Sequence, residues 1–327
     1  MSAREALLRV EDLRVEFPTE DGVVHAVDGI TYEVHSGRTL GIVGESGSGK
    51  TVSSLTTLGL TRRQGARITG RILFGGEDLV QLPEERLRAI RGNDIAMIFQ
   101  DPLSSLHPLY RVGAQLVEAV RAHRDVPKAR ARERAIELLE LVGIPDPRRR
   151  VDEYPHEFSG GMRQRAMIAM ALANEPKLLI ADEPTTALDV TIQAQILAEV
   201  QKLARERGMA LIWISHDLAV VSGLADDVAV MYAGRIVETG SVDRVLDHPL
   251  HPYTHGLIGS VPSRNRRGER LRQIPGTTPS LFNLPQGCAF RTRCPRADAA
   301  CVQEPAITEP VQGQAIRCFH PALDRVA

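Results

Sequence analysis

The chain has 327 residues, and its 40 basic and 41 acidic side chains leave a formal net charge of -1. A nearly neutral surface lacks the field that draws a protein onto nucleic acid or an anionic bilayer, so we expect no nucleic-acid partner. Apolar runs such as 178–181 and 210–214 are strand-sized, far below the ~20 residues of a membrane-spanning helix. The charged N-terminus does not resemble a signal peptide, which predicts a protein that stays in the cytoplasm.

The first forty residues alternate between apolar and polar positions, the period of half-buried strands. The apolar positions are Leu8, Val10, Leu13, Val15, Phe17, Ile30, Tyr32 and Val34. The pattern predicts an antiparallel sheet with Asp21-Gly22 as a hairpin turn.

A strand at Leu40–Val43, a glycine-rich turn and a helix from about Lys50 to Leu60 follow, in the order that nucleotide-binding folds use. The turn, Gly44-Glu45-Ser46-Gly47-Ser48-Gly49-Lys50-Thr51, fits the phosphate-binding pattern. In this pattern the backbone N–H groups face the phosphates, Lys50 neutralises the β and γ oxygens, and the Thr51 hydroxyl ligates Mg²⁺. A glycine-rich turn that only begins a helix is the alternative, but the full pattern favours ATP binding.

Helical spacing over 112–123 and 128–142 predicts an inserted, mostly helical subdomain at about residues 101–175. Strands and helices then alternate again: helix 162–173, strand 178–182, helix 192–207, strand 210–215 and a hairpin over 227–239. This alternation predicts a largely parallel sheet.

The strand Leu178–Asp182 delivers two carboxylates, Asp182 and Glu183, at its C-terminal end, the edge where open α/β sheets bind ligands. Asp182 is expected to hold Mg²⁺, and Glu183 to orient and polarise the attacking water. Two acids in series predict hydrolysis as well as binding. A strand that is simply capped by charged residues is the alternative.

The segment Phe158-Ser159-Gly160-Gly161-Met162-Arg163-Gln164 places a serine and two glycines at the start of a helix, where free N–H groups can meet an anion. This segment resembles the signature motif of ABC ATPases. The resemblance implies that Ser159, Gly160 and Gly161 face the phosphate loop of an opposing subunit, so that each hydrolytic site is shared between two chains.

Other motifs resemble this family in the family's order. Gln100 resembles the Q-loop glutamine, which implies a catalytic role and contact with Mg²⁺. Asp189 in Ala187-Leu188-Asp189 resembles the D-loop, which implies a place at the nucleotide, and His216 resembles the switch histidine, which implies a catalytic role. Phe17 lies at the end of a strand where the family stacks an aromatic ring on adenine, but core packing of Phe17 is an equal alternative.

Three segments narrow the resemblance to the importers of peptides and nickel: 101–108, 154–158 and 251–254. Met162 and Thr185-Thr186 resemble the "D" type of ATPase in these importers, and we expect Thr186 to contact the nucleotide. The implied partners are a second, "F"-type ATPase, two membrane-embedded permeases and, indirectly, an extracytoplasmic peptide-binding protein. The implied location is the cytoplasmic face of the plasma membrane.

The expected fold is therefore α/β: a P-loop NTPase of the ABC cassette type over residues 1–250, with a RecA-like core sheet, an N-terminal antiparallel β subdomain and the helical subdomain. A small domain rich in cysteine and proline is expected over 251–327. The expected function is ATP hydrolysis that drives di- or oligopeptide import, with a nickel, glutathione or peptide-antibiotic importer or a non-transport ABC ATPase as alternatives.

All four cysteines, Cys288, Cys294, Cys301 and Cys318, lie in this last segment. In a reducing cytosol such clustering favours a metal or cluster over disulfides. The segment resembles the C-terminal domain of oligopeptide/dipeptide importer ATPases, which implies a [4Fe–4S] cluster. Zinc and four simple reduced thiols are the alternatives.

Overall fold

A computed structural model of the chain describes residues 6–100, 105–184, 190–261, 265 and 273–323. Within these residues the chain forms two units. The first unit is drawn from Met1–His35, Thr39–Gln81 and Trp213–Ala327, and the second from Ser36–Arg38 and Leu82–Ile212. The first unit therefore joins segments that are far apart in the sequence.

The first unit contains two groups of strands with short helices. Its strands are β1 (Leu8–Thr19), β2 (Gly22–Val34), β3 (Thr39–Val43), β4 (Arg67–Phe74), β5 (Glu77–Asp78), β9 (Asp227–Tyr232), β10 (Arg235–Ser241), β11 (Thr308–Val311) and β12 (Gln314–Ile316). Its α-helices are α1 (Lys50–Thr57), α8 (Leu218–Leu224), α9 (Val242–Asp247) and α10 (Pro252–Gly259). Short 3-10 turns cover Leu60–Gln64 and Ala299–Val302.

The second unit is mainly helical, with a few buried strands. Its strands are β6 (Ile95–Ile98), β7 (Leu178–Asp182) and the first part of β8 (Ala210–Ser215), which runs on into the first unit along the chain. Its helices are α2 (Glu84–Ile90), α3 (Val112–Arg121), α4 (Lys128–Leu141), α5 (Pro147–Arg150), α6 (Gly160–Ala171) and α7 (Val190–Arg207).

The predicted N-terminal sheet is present, with the antiparallel order β2-β1-β4-β5. The alternating apolar residues of β1 and β2 are buried as predicted, except for Phe17, which is half-buried. A β-bulge between Val10 and Leu13, with Asp12 at φ 44°, brings both residues onto the core side although they are three positions apart. The turn is Glu20-Asp21 rather than Asp21-Gly22, because Gly22 already pairs with Thr19.

The remaining strands of the first unit lie in the order β11-β12-β10-β9-β3. β3 and β9 are parallel, whereas β9, β10, β12 and β11 pair antiparallel, so the sheet is mixed at this side. β12 pairs Ile316 with Glu238 of β10. β11 and β12 belong to the C-terminal segment, residues 251–327, and β12 pairs with β10, which precedes this segment in the chain. This pairing compensates for the few apolar residues of the segment.

In the second unit, β6 and β7 pair in parallel and both are fully buried. The helices α3 to α6 lie in the region where the sequence predicts helices. α3 and α4 bury their apolar residues Val112, Leu116, Leu138 and Leu139. Gly113 sits against Val151, where an added Cβ would lie 2.4 Å from the Val151 carbonyl oxygen. Among the described residues, no helix has both the length and the apolar character needed to cross a bilayer.

A buried carboxylate, that of Glu238 on β10, holds the start of the C-terminal segment. Its Oε1 accepts hydrogen bonds from the Leu250 N–H at 2.7 Å and the Gln314 side chain at 2.8 Å, and its Oε2 accepts from the His251 N–H at 3.0 Å. Glu238 has no exposed surface. Burial raises the pKa of Glu238, against the opposing effect of these hydrogen bonds.

We expect Glu238→Ala to lower the free energy of unfolding by about 3 kcal/mol or more, because buried donors that lose their acceptor each cost roughly 1–3 kcal/mol. Urea denaturation of the full chain measures this loss. Glu140→Ala, on the exposed face of α4, is the control and should change stability by less than about 0.5 kcal/mol. Equal losses in the two variants would contradict the role assigned to Glu238.

Candidate functional site

The phosphate-binding loop lies between the fully buried strand β3 and the helix α1, as predicted. Two of its glycines are required because neighbouring backbone carbonyl oxygens leave no room for a side chain. A Cβ on Gly44 would lie 2.2 Å from the Met231 carbonyl oxygen, and one on Gly49 would lie 2.3 Å from that of Ala26. A Cβ on Gly47, at φ 77°, would meet no atom within 4 Å, so Gly47 lies on the open side of the loop. One side of the loop is therefore packed against backbone carbonyls, and the other side is open.

Lys50 begins α1 and is only 4% exposed. Its Nζ donates to the carbonyl oxygens of Gly44 at 2.8 Å and Glu45 at 3.0 Å, which holds the ammonium group across the loop. Ser48 is buried, and its carbonyl accepts the Gly234 N–H at 3.0 Å. Ser46 and Thr51 are exposed, so their hydroxyls can reach phosphate or a metal ion.

The Glu45 side chain is bound by the C-terminal segment. Arg293 donates from both terminal nitrogens to the Glu45 carboxylate, at 2.6 and 3.0 Å, and the Thr278 hydroxyl donates at 2.7 Å. The Glu45 N–H donates to the Tyr253 hydroxyl at 2.9 Å. Burial alone would raise the pKa of Glu45, but the hydrogen bonds from Arg293 and Thr278 hold it below its ordinary value.

Aromatic rings surround this contact. Tyr232, Tyr253 and Phe290 pack with ring centroids 4.6 to 5.4 Å apart. The Arg293 guanidinium lies over Tyr232 at 5.8 Å and over Phe290 at 5.9 Å. Burial lowers the pKa of His251 to about 3, so this histidine is neutral and its Nδ1 accepts the Tyr253 N–H at 3.0 Å.

The two carboxylates at the end of β7 differ in surroundings. Asp182 is 1% exposed, whereas Glu183 is half-buried and has φ 44°, in the left-handed region. A non-glycine residue in this region carries backbone strain, which is often found at functional sites. Gln164 of α6 is buried and its side chain donates to the Pro184 carbonyl, so this helix holds the chain directly after the two acids.

The signature segment begins α6 as the sequence predicts. Ser159 is its N-cap, and the Ser159 hydroxyl accepts the Met162 N–H at 3.3 Å. Ser159 and Gly160 are exposed, and a Cβ on Gly160 would meet no atom within 4 Å. The helix N-terminus can therefore be approached by an external anion.

The remaining predicted residues are found at element ends. Gln100 is exposed, two residues after β6, and His216 is exposed directly after β8. Phe17 is half-buried on β1, which leaves both of its predicted roles open. Thr186 and Asp189 lie outside the described residues.

The predicted residues divide between the two units. The first unit holds the phosphate loop, Phe17, His216 and the cysteines, whereas the second holds Gln100, Ser159-Gly160-Gly161, Asp182 and Glu183. Within the first unit the structure brings the loop together with residues of the C-terminal segment, a contact that sequence reasoning missed. The one available signal was an acidic residue inside an anion-binding loop, which implies a cationic partner but does not identify Arg293.

All four cysteines are free thiols. Burial raises the pKa of Cys288 and Cys294, and that of Cys318 to about 11; nearby cysteines raise all three further. A charge on one of the cysteines therefore affects the ionisation of these three thiols. The sulfur of Cys294 accepts the Arg296 N–H at 3.4 Å, and the sulfur of Cys318 accepts the His320 N–H at 3.3 Å.

A mixed set of donors overlaps this region. One ligand atom each from Asp298, Cys301 and His320 lies within 4.8 Å of the others. His320 Nε2 is 3.0 Å from the Asp298 carboxylate, and the Cys301 sulfur is 3.6 Å from it. Sulfur, nitrogen and oxygen donors of this kind suit zinc, and a set of four thiols suits either zinc or an iron–sulfur cluster.

Two family models match the chain. The model for ABC transporters matches residues 27–186, and the model for the C-terminal region of oligopeptide/dipeptide transporters matches residues 237–301. The first match contains the phosphate loop, the signature segment and the two acids of β7. The second contains Tyr253, Arg293 and the first three cysteines.

Relatives match over nearly the whole chain. The oligopeptide transport ATP-binding protein OppD of Escherichia coli (strain K12) is 50% identical over 317 residues, 97% of this chain and 94% of the relative. The dipeptide transport ATP-binding protein DppD of the same organism is 48% identical over 320 residues, 98% of each chain. The structure of cbiO1 from Clostridium perfringens, part of the ABC transporter complex cbiONQ, has a TM-score of 0.63 and 30% identity, covering 75% of this chain and 92% of that one.

The cassette fold predicted from the sequence is confirmed. The chain belongs to the ABC transporter family, in the group of the oligopeptide and dipeptide transport ATP-binding proteins.

Proposed function

We propose that this chain binds and hydrolyses ATP as the ATP-binding subunit of an importer of di- or oligopeptides. The observation that carries the proposal is the phosphate loop, in which Gly44 and Gly49 are packed against backbone carbonyls and the Lys50 ammonium group lies across the loop. Relatives about 50% identical over most of their length carry names of peptide transport proteins, which supports the substrate class.

Mg²⁺ suits the donors on the predicted residues. Thr51 offers an exposed hydroxyl, Asp182 a buried carboxylate and Gln100 an exposed side-chain amide, and Mg²⁺ prefers oxygen donors. When bound, the ion supplies positive charge to the β and γ phosphate oxygens.

Hydrolysis follows from the proposed roles of the side chains. The oxygen of a water molecule bonds to the γ phosphorus while the bond from that phosphorus to the bridging oxygen breaks, and ADP leaves with the electron pair. Glu183 orients the water and takes its proton. His216 contacts the γ phosphate, and Gln100 would help to hold the Mg²⁺ ion. Lys50 and the loop amides stabilise the charge on the phosphate oxygens.

The proposal includes partners. Exposed Ser159 and Gly160 offer a helix N-terminus to the γ phosphate held by an opposing ATPase, which we propose is an "F"-type chain. Two permeases and, through them, an extracytoplasmic peptide-binding protein complete the importer, with this chain at the cytoplasmic face of the plasma membrane. Thr186 and Asp189 keep their predicted roles at the nucleotide, and the domain boundary near residue 250 stays a prediction.

We expect strong Mg²⁺-ATP hydrolysis only when the chain is assembled with its partner ATPase and permeases in lipid. Glu183→Gln should reduce kcat about a hundredfold or more, since loss of a general base costs about 10²–10⁴. ATP binding should remain, because the variant keeps the phosphate loop. Glu140→Gln, the same chemical change on the exposed face of α4, is the matched control. Full activity of the isolated chain, or of the Glu183→Gln complex, would contradict the proposal.

We further propose a [4Fe–4S] cluster held by Cys288, Cys294, Cys301 and Cys318. The donors fit: all four thiols are free, N–H groups point at the sulfurs of two of them, and burial together with repulsion from neighbouring cysteines raises the pKa of Cys288, Cys294 and Cys318. A cationic centre bound to the sulfurs offsets that repulsion. The cluster ties together a segment with little core of its own.

Anaerobically purified chain should contain about four iron and four sulfide per molecule. Cys294→Ala should lose most of the iron, because it removes one of the four ligands. His320→Ala should keep it, since His320 belongs only to the mixed donor set. Metal and sulfide analysis of the three proteins measures this. Zinc that is lost with His320→Ala would instead support a site at Asp298, Cys301 and His320 and contradict the cluster.

A further inference from the structure

A carboxylate inside an anion-binding loop opposes the binding of a phosphate. Glu45 lies between Gly44 and Ser46 of the loop, and its side chain is 28% exposed. With its pKa held below the ordinary value, Glu45 is ionised at neutral pH. An unpaired charge at this position would repel the phosphates of ATP.

The C-terminal segment supplies the compensating charge. The Arg293 side chain is 4% exposed and makes a two-pronged contact with Glu45, at 2.6 and 3.0 Å. Its Nε donates to the Pro275 carbonyl at 2.9 Å, and a terminal nitrogen lies 3.3 Å from the Tyr232 hydroxyl. The guanidinium is thus fixed in position before any ligand binds, so the charge of Glu45 is neutralised at little further entropic cost.

The backbone of the loop is held by the same segment. The Tyr253 hydroxyl accepts the Glu45 N–H, and the Thr278 hydroxyl donates to the Glu45 carboxylate. Side chains from three separate stretches, at 253, 278 and 293, therefore converge on one residue of the loop. A surface ion pair would not need this number of directional contacts, nor burial of the arginine.

We propose that Arg293 is a positioning residue for ATP: by holding and neutralising Glu45, it sets the charge and the shape of the phosphate loop. The C-terminal segment is thereby part of the nucleotide site. The proposal rests on the ATP-binding function proposed above and adds a residue outside the ATPase motifs. Arg293 acts through Glu45 and is not assigned a contact with ATP.

The test is a double-mutant cycle on the full-length chain, read out as the dissociation constant of Mg²⁺-ATP. Arg293→Gln should weaken ATP binding about tenfold when Glu45 is present, because it leaves the carboxylate uncompensated. In the Glu45→Gln background the same change should weaken binding less than about twofold, because no charge remains to be neutralised. Arg293→Lys, which keeps the charge but loses the two-pronged geometry, should bind between the wild type and Arg293→Gln.

Arg296→Gln is the matched control, since it removes the same charge from the same segment. Arg296 is exposed and its guanidinium reaches the Pro321 carbonyl, 3.4 Å away. This variant should bind ATP within about twofold of the wild type. Two further measurements are made on every variant: the thermal unfolding of the nucleotide-free protein and its metal content. They identify any variant that has lost the C-terminal structure.

Equal weakening by Arg293→Gln in both backgrounds would overturn the proposal, because the effect would then not pass through the Glu45 charge. Unchanged binding in Arg293→Gln would overturn it as well. If the wild-type chain itself binds no Mg²⁺-ATP, the proposed function fails, a result that is distinct from either of these.

Discussion

The close packing of the phosphate loop against two backbone carbonyls is the constraint on which the first unit depends. The Met231 carbonyl backs Gly44 and the Ala26 carbonyl backs Gly49, at separations that leave no room for a side chain. β2, β3 and β9 must therefore be in their final positions for the loop to form. On its other side the loop exposes Ser46, Gly47 and Thr51 to solvent, where a ligand can approach.

Several acidic side chains join segments that are distant in the sequence. Glu238 binds the backbone at 250 and 251, and Glu45 binds Arg293. Asp28 of β2 binds Arg14 of β1 at 2.5 Å and Arg235 of β10 at 2.6 Å. Each carboxylate accepts several hydrogen bonds at once, which offsets the cost of removing its charge from water. The C-terminal segment, poor in apolar residues, is therefore held largely by polar contacts.

The sequence was most informative where chemistry requires a fixed order of residue types. The phosphate loop, β7 with its two acids and the Ser159 cap were predicted closely, because glycine, lysine, acid and N-cap patterns are local. β11, β12 and the partners of Glu45 were not, because they arise from pairing across long sequence separations. The bulge at Asp12 and the early end of α1 at Thr57 were missed for a similar reason: neighbouring strands and the following 3-10 turn set them.

The division of the first unit between two ends of the sequence has a consequence for synthesis on the ribosome. The loop at 44–51 is translated early, but Tyr253, Thr278 and Arg293, which hold it, emerge only after the whole second unit has been made. Because domains fold as units once their parts are available, the nascent chain cannot complete its phosphate loop until translation is nearly over. On the proposal made above for Arg293, a growing chain that lacks these contacts would bind nucleotide more weakly than the complete chain.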